Sequence, residues 1–534
     1  MLILDFSKNS KVPLYKQIYE YFAKEIRLGI LKENTKLPSV RELTKKLGVS
    51  KNTVESAYQQ LCAEGYVVSV AKSGFVVTKV QEIFKFSEDK KIDENKISDL
   101  EKNSRSKNFD KSDFIDVSSS RVDEGMFPSS VLKNLYRQAV SGNNSKNFLC
   151  RGDNLGDVDF RKTLALHLFE SRGVRCSYNQ IVIGAGTEYL LSLAVKIIEK
   201  YKSSFLQNEN KYDTQSEKSK LVFAVENPGY EKTQSIICDN GAIVKKINLD
   251  ESGISVEQIK ASEIDCVYCT PAHQYPMGIT MPISRRSELL SWAYECQLSE
   301  FKCDTKYDKN TSEKYDTKYD NFNMTNCRFI IEDDYDSDYR YQGNPIPALQ
   351  GFDTRDCVLY LGTFSRSLSP SMRVSYLVLP NRLLDIFEQE MSYYSNTVSR
   401  IEQYVLNKFI YDRHFERHIN RTRKIYEQRR NVLIKALYDK IPDIQISGED
   451  SGLHFIAKLD DKKYDKTLFK YDTQNMTNLY TTIIKKAFDK KLLIGGTESF
   501  LIFCYAHIDE SQAKQIAEIL CQVLQEIWQN KCHI

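Results

Sequence analysis

The sequence predicts an α/β protein in two parts, a small N-terminal winged helix-turn-helix and a much larger domain on a mainly parallel sheet. Three observations carry this. The first eighty or so residues hold three helical patterns followed by two β-branched runs. From Ser112 onward, apolar β-type runs alternate with helical patterns. The 534 residues, 61.9 kDa, far exceed the roughly 100–200 residues of one ordinary domain.

In the head, Leu14, Ile18, Phe22 and Ile26 recur every fourth residue beside Tyr15, Tyr19 and Ala23, and Gly29 ends this first helix. Ser39 caps a second helix, with Glu42 three residues on to complete a capping box and Val40, Leu43 and Leu47 facing inward. Gly48-Val49-Ser50 is a tight turn. Ser50 caps a third helix whose buried stripe is Val54, Ala57, Tyr58 and Leu61 and whose exposed start is Lys51, Asn52 and Thr53. Two helices around a three-residue turn, the second opening on polar and basic side chains, suit the reading of base edges in a major groove. Tyr66–Val70 and Phe75–Val77, joined by Ala71-Lys72-Ser73-Gly74, read as a hairpin wing that brings Lys72 to a phosphate or minor groove.

Charge agrees. Residues 1–79 carry thirteen Lys/Arg against seven Asp/Glu, a local +6, so the remainder sums to −3 although the whole chain is only +3. That total excludes a wholly basic nucleic-acid coat protein. The N-terminus has no basic segment leading into an apolar core, no stretch stays apolar for about 18 residues, and the thirteen cysteines are scattered. A cytoplasmic protein with reduced thiols and no membrane partner is expected.

Residues 80–112 mix Lys, Glu, Asp, Asn and Ser and read as a solvated linker. Three later stretches, near 201–220, 300–326 and 462–478, share this texture and even words, "KYDTQ" and "NMTN" each occurring twice. They lack a fixed period and an apolar face, so they read as surface insertions.

In the large domain the strand runs are Ile181–Ile183, Leu221–Val225, Cys266–Cys269, Phe329–Ile331 and Val358–Leu361. Polar motifs follow them, where open α/β sheets place ligands. Gly184-Ala185-Gly186-Thr187 opens a helix and offers N–H groups to a phosphate. Glu226-Asn227-Pro228-Gly229-Tyr230 turns with an aromatic ring. Glu332-Asp333-Asp334-Tyr335-Asp336 is an acidic strand end, where a carboxylate would face a cationic ring nitrogen, a metal or water. Gly362 to Arg373 is rich in hydroxyls and closes with an arginine.

The head, "LYKQIYEYFAKEIRLGILKENTKLPSVRELTKKLGVSKNTVESAYQQLCAEGYVVSVAKSGFVVT", closely resembles the winged helix-turn-helix of GntR-type transcription regulators. The series "RGDNLGDVDFRKTLALHL", "GAGTEYLL", "ENPGY", "TPAHQYPMG", "EDDYDSDYRY" and "YLGTFSRSLSPSMRVSYLVLP" is similar to the aminotransferase-like domain of the MocR-type subfamily, which has the fold of fold-type I pyridoxal 5'-phosphate enzymes with a small C-terminal α+β subdomain. The resemblance implies three parts: a DNA-binding head at 8–79, the linker at 80–112, and an effector and dimerisation domain at 113–534. It implies operator contacts from Arg41, Ser50, Lys51, Asn52 and Thr53, with Lys72 and Gly74 on the wing. It assigns Asp333 to the pyridine nitrogen, Tyr335 to the ring O3', and Tyr230 to stacking. Gly186, Thr187, Thr363, Ser365 and Arg373 become the phosphate cup, and His273 and Gln274 lie near the cofactor's face.

One departure decides the expected chemistry. Where the family has the Schiff-base lysine, directly after "GTFS", this chain has Arg366. A guanidinium stays protonated and cannot form the imine. No arginine follows Arg430 either, so a carboxylate clamp from the small subdomain is missing. The expectation is a homodimeric regulator that reads operator half-sites and binds pyridoxal 5'-phosphate, or an amino-acid adduct of it, noncovalently, with no catalytic residue. The alternatives are a working aminotransferase with a DNA-binding head and a cofactor-free dimerisation scaffold. No metal is expected: Cys266 and Cys269, three apart on a strand, point to opposite faces, and His414 and His418 lack a zincin glutamate.

Overall fold

The computed structural model describes residues 12–70, 74–79, 113–118, 121–141, 148–209, 220–298, 328–341, 345–459 and 479–529. The linker at 80–112, Lys72, and the stretches 300–326 and 462–478 lie outside them. The chain divides into two compact units, Met1–Lys111 and Ser112–Ile534. Among the described residues no helix is long and apolar enough to cross a membrane.

The first unit holds α1 (Leu14–Arg27), α2 (Val40–Leu47), α3 (Lys51–Ala63) and the antiparallel pair β1 (Val67–Val70) and β2 (Gly74–Val77). Both serines cap their helices, Ser39 Oγ accepting the Glu42 N–H and Ser50 Oγ the Thr53 N–H, but among the described residues the Glu42 side chain does not return the bond that would complete the capping box. Val54, Ala57, Tyr58 and Leu61 are fully buried against Ile18, Phe22 and Leu43. The Tyr58 hydroxyl donates to the Pro38 carbonyl, 2.9 Å away, which ties α3 to the entry of α2.

In the second unit the strands are β3 (Ile115–Asp116), β4 (Ile181–Gly184), β5 (Val222–Asn227), β6 (Ile243–Asp250), β7 (Gly253–Ile254), β8 (Cys266–Cys269), β9 (Phe329–Asp334), β10 (Val358–Thr363) and β11 (Ser375–Val378), then β12 (Ile444–Ser447), β13 (His454–Leu459), β14 (Leu492–Leu493), β15 (Gly495–Gly496) and β16 (Leu501–Cys504). Its helices include α4 (Ser129–Ser141), α5 (Val158–Arg172), α6 (Thr187–Glu209), α7 (Glu231–Asp239), α8 (Val256–Lys260), α9 (Ile283–Leu298), α10 (Asn381–Glu390), α11 (Arg400–Tyr411), α12 (His414–Lys440), α13 (Leu479–Asp489) and α14 (Glu510–Gln529).

Eight strands form one sheet in the order β4-β11-β10-β9-β8-β5-β6-β7. β10, β9, β8, β5 and β6 are parallel, and β11 runs against both β10 and β4, so β4 shares the parallel direction. Both faces are covered, as all-apolar parallel strands require. Ile331 and Leu359 join the core that includes Leu190 and Leu383, whereas Ile330 and Val358 join the one around Trp292. Cys266 and Cys269 fall in these two different clusters, on opposite faces as their spacing predicts, and both are free thiols.

One expectation needs correction. The insertion read near 201–220 starts within α6, which continues to Glu209, and Tyr201 is core, edge-on to Phe329 at 5.5 Å. Leu190, Ala194, Ile197, Ile198 and Tyr201 keep one apolar stripe running, which outweighs the polar texture of the residues after Tyr201.

The smaller sheet, β12-β13-β16-β15, is antiparallel and shares a core with α12 and α14. β3 pairs in parallel with β14. The segment just after the linker is thereby tied to the C-terminal subdomain.

Candidate functional site

The shared strand direction puts the C-terminal ends of β4, β5, β8, β9 and β10 along one edge of the large sheet. That edge gathers the loops starting at Ala185, Pro228, Thr270, Tyr335 and Phe364, where an open α/β sheet binds ligands.

At the β4 end, Gly186 has φ +99°, and a Cβ there would lie 2.1 Å from Arg373 Nη2, so only glycine lets the arginine approach. Thr187 begins α6, whose first-turn N–H groups lack intrahelical acceptors. Across the edge, Thr363 Oγ1 accepts the Ser365 N–H (3.1 Å) and the Ser375 hydroxyl (2.8 Å). Glycine, helix N-terminus, hydroxyls and guanidinium, far apart in sequence, are thus gathered at one place on this edge, and groups of these types can hold an anion. The sequence reading missed Glu188, whose Oε2 accepts from Arg373 Nη2 at 2.5 Å.

At the end of β9, Asp333 Oδ2 accepts from the Tyr268 hydroxyl, while Oδ1 is buried with no hydrogen-bond partner among the described residues. Burial pushes this carboxyl up to about 7, against the downward pull of the Tyr268 hydroxyl. A buried carboxylate oxygen without a donor suits a cationic ring N–H.

Tyr335 places its hydroxyl 3.2 Å from His273 Nδ1, and that nitrogen also lies 3.0 Å from Asp336 Oδ2. His273 Nε2 is buried and unpaired among the described residues. The Gln274 amide donates to Glu226 Oε2 (3.1 Å) and the Pro228 carbonyl (3.0 Å), which ties its loop to the end of β5. It shapes the loop. Glu226 also accepts from Thr270, and burial raises it to about 7. Tyr230, 40% exposed, meets Tyr275 edge-on at 5.7 Å, and Tyr275 in turn meets Tyr335 and His454 at 6.3 and 5.2 Å.

His273, Asp336 and His454 each bring one ligand-type atom within 4.8 Å of the others, a cluster no sequence spacing announces. Hydrogen bonds already use it: Asp336 holds His273, and His454 Nε2–H donates to the Pro276 carbonyl at 3.1 Å. Burial and the neighbouring His273 depress His454 to about 3, so it is neutral. Gly452 is what lets the cluster close, since a Cβ there would lie 2.1 Å from the His273 ring. The other histidine pair separates: His418 Nε2–H donates to the Ser367 carbonyl at 2.8 Å, and His414 accepts from Arg417 at 3.0 Å.

Arg366 follows Ser365 in the turn after β10. Burial raises Tyr335 and Tyr275 and depresses His454, and the charge of Arg366 adds a smaller downward pull on each of the three. Three elements around the pocket therefore feel the residue at the lysine position.

In the first unit, Arg41, Lys51 and Asn52 are exposed at the starts of α2 and α3. Lys51 pairs loosely with Glu55 (3.1 Å) on the open surface. The Ser50 and Thr53 hydroxyls lie 2.8 Å apart, so they fix the helix start on which Lys51 and Asn52 stand. Gly74 lies at the wing, and Lys36, which bridges to Val76 and reaches toward Gly74, is a basic residue the sequence reading did not single out.

Residues 14–77 match the family described as bacterial regulatory proteins, gntR family. Over 83% of this chain and 84% of the relative, the chain is 33% identical to the uncharacterized HTH-type transcriptional regulator YdeL of Bacillus subtilis. It is 27% identical to the probable rhizopine catabolism regulatory protein MocR of Rhizobium meliloti, over 88% and 86% of the two chains. The multiple substrate aminotransferase of Thermococcus profundus superposes with a TM-score of 0.59 at 19% identity, covering 81% of this chain and 95% of that one, which is likeness of fold. With a GntR head joined to an aminotransferase-like body and relatives matching across both, the chain belongs to the MocR-type subfamily of GntR transcription regulators.

Proposed function

We propose that this regulator, a homodimer in the cytoplasm, reads operator half-sites with its head (8–79) and uses its body (113–534), joined through the linker at 80–112, to sense pyridoxal 5'-phosphate held without a covalent bond. The observation that carries the sensing is Asp333, whose buried Oδ1 has no donor among the described residues and lies at the end of β9, the strand beside β10 with Thr363. Asp333 would pair with the ring nitrogen and Tyr335 with the ring hydroxyl. Tyr230 would flank the ring. Gly186, Thr187, Thr363, Ser365 and Arg373 would hold the phosphate once Arg373 releases Glu188. When bound, the group supplies an electron-withdrawing ring and an aldehyde. The chain offers that aldehyde no lysine in the turn, because Arg366 stands there and cannot act as an amine nucleophile or proton carrier. Occupancy would stiffen the body and reset the geometry of the paired heads.

The runner-up, a working aminotransferase with a fused head, keeps the fold in its favour and has Arg366 against it. The test is binding of the full chain to DNA from its own upstream region, with and without pyridoxal 5'-phosphate, alongside ligand absorbance after adding amino acids. The regulator reading expects the ligand to change DNA affinity or footprint and amino acids to leave its absorbance alone. Amino-acid-driven spectral conversion would establish the enzyme, and DNA binding indifferent to a bound ligand would reject sensing.

A further inference from the structure

We propose that Arg366 makes the pocket select pyridoxyl phosphates that carry oxygen on the 4' carbon, as aldehyde, hydrate or alcohol, over the 4' amine. This rests on the reading of the pocket as a pyridoxyl phosphate site and goes beyond it by naming which member of that ligand class the chain distinguishes.

The turn that presents Arg366 is held on both sides. Before it, the Ser365 N–H donates to Thr363 Oγ1 at 3.1 Å and the Phe364 N–H to the Val374 carbonyl at 3.0 Å. After it, the Ser367 carbonyl accepts from His418 at 2.8 Å, and the Leu368 N–H closes back on the Phe364 carbonyl at 2.9 Å. The backbone of residue 366 is therefore fixed in the turn that directly follows Thr363 and Ser365. The guanidinium is near enough to act electrostatically on Tyr335 after β9, Tyr275 after β8 and His454 in β13, each shifted chiefly by burial.

The ligand's own connectivity does the rest. On a pyridoxyl phosphate the 4' carbon lies para to the ring nitrogen and beside the arm that bears the phosphate. With the nitrogen on Asp333 and the phosphate at Gly186 and Arg373, the 4' substituent faces the residue that replaces the lysine. A guanidinium has five N–H donors, no acceptor and a permanent positive charge. It complements the lone pairs of a carbonyl, a hydrate or a hydroxymethyl group. A 4' aminomethyl group is an ammonium near neutral pH, and two like charges a few ångströms apart in a half-buried pocket repel enough to cost about tenfold or more in affinity.

The experiment titrates the full chain with pyridoxal, pyridoxine and pyridoxamine 5'-phosphates, in wild type, Arg366→Met and Arg366→Lys, reading Kd by calorimetry. Wild type is expected to bind the first two alike and the third at least about tenfold more weakly. Arg366→Met should bring the three together while still binding pyridoxine 5'-phosphate, which shows that its pocket is folded. Arg366→Lys should add a borohydride-trappable bond with pyridoxal 5'-phosphate alone. Equal wild-type affinity for all three, or a preference that survives Arg366→Met, overturns the proposal and leaves the pocket reading standing. Failure of all three ligands to bind wild type overturns both.

Discussion

Asp333→Asn should stabilise the protein in the absence of ligand, and more so as pH rises. The carboxyl is held at about 7 by burial against an ordinary 3.8. Between these values the unfolded chain has released its proton and the folded chain keeps it, so wild-type stability falls as pH rises through this window. At about pH 5.5 the side chain costs the folded state about 2 kcal/mol, and at about pH 8 it costs about 4, from linkage at 1.36 kcal/mol per unit. Asparagine does not titrate, and any fixed cost of its unpaired amide is the same at both pH values. The stability difference between Asp333→Asn and wild type should therefore shift by about 2 kcal/mol in the mutant's favour between the two pH values. Urea unfolding followed by the fluorescence of Trp292 and Trp528, without pyridoxyl ligands, measures it. A difference that stays constant with pH would refute the reasoning. Adding pyridoxal 5'-phosphate should reverse the ranking, since only the carboxylate rewards a cationic nitrogen.

The other predictions rest on the same geometry. Gly186→Ala would set a Cβ 2.1 Å from Arg373 Nη2 at φ +99°, so calorimetry should show loss of pyridoxal 5'-phosphate binding, at least about tenfold, with DNA binding by the head intact. Glu188→Gln frees Arg373 from its carboxylate and should tighten binding of phosphorylated ligands a few-fold; weaker binding would mean that Glu188 supports the cup. Arg41→Ala and Lys51→Ala, each at an exposed helix start, should weaken duplex binding at low salt and lower the log–log salt slope by about one each. Unchanged slopes in fluorescence anisotropy would remove these residues from the interface.

Local chemistry made much of this legible. Ser39 and Ser50 cap as read, Val54 to Leu61 form the stripe as read, and β4, β5, β8, β9 and β10 fall on the apolar runs because strands buried on both faces leave little room for polar residues. β6 escaped notice because Ile243–Asp250 lies near the sheet edge, carries the adjacent Lys245 and Lys246, and has only Ile247 buried. The antiparallel run of β11 between β10 and β4 is set by the crossover, which no local pattern records. The site divides in the same way. Asp333, Tyr335 and Arg373 sit in motifs, as do Asp336 and Glu188, but the roles of the last two, like those of Tyr268 and His454, are set by partners brought from other strands and loops. Those partnerships exist only in the folded chain.

The central claim is a pyridoxal 5'-phosphate pocket without a covalent anchor. The most direct measurement is the intact mass of the wild-type chain after saturation with pyridoxal 5'-phosphate and borohydride reduction, paired with calorimetry on the same sample. The account predicts binding of one ligand per chain with the protein's mass unchanged, whereas a stoichiometric mass increase, mapped to a lysine in this pocket, would contradict it.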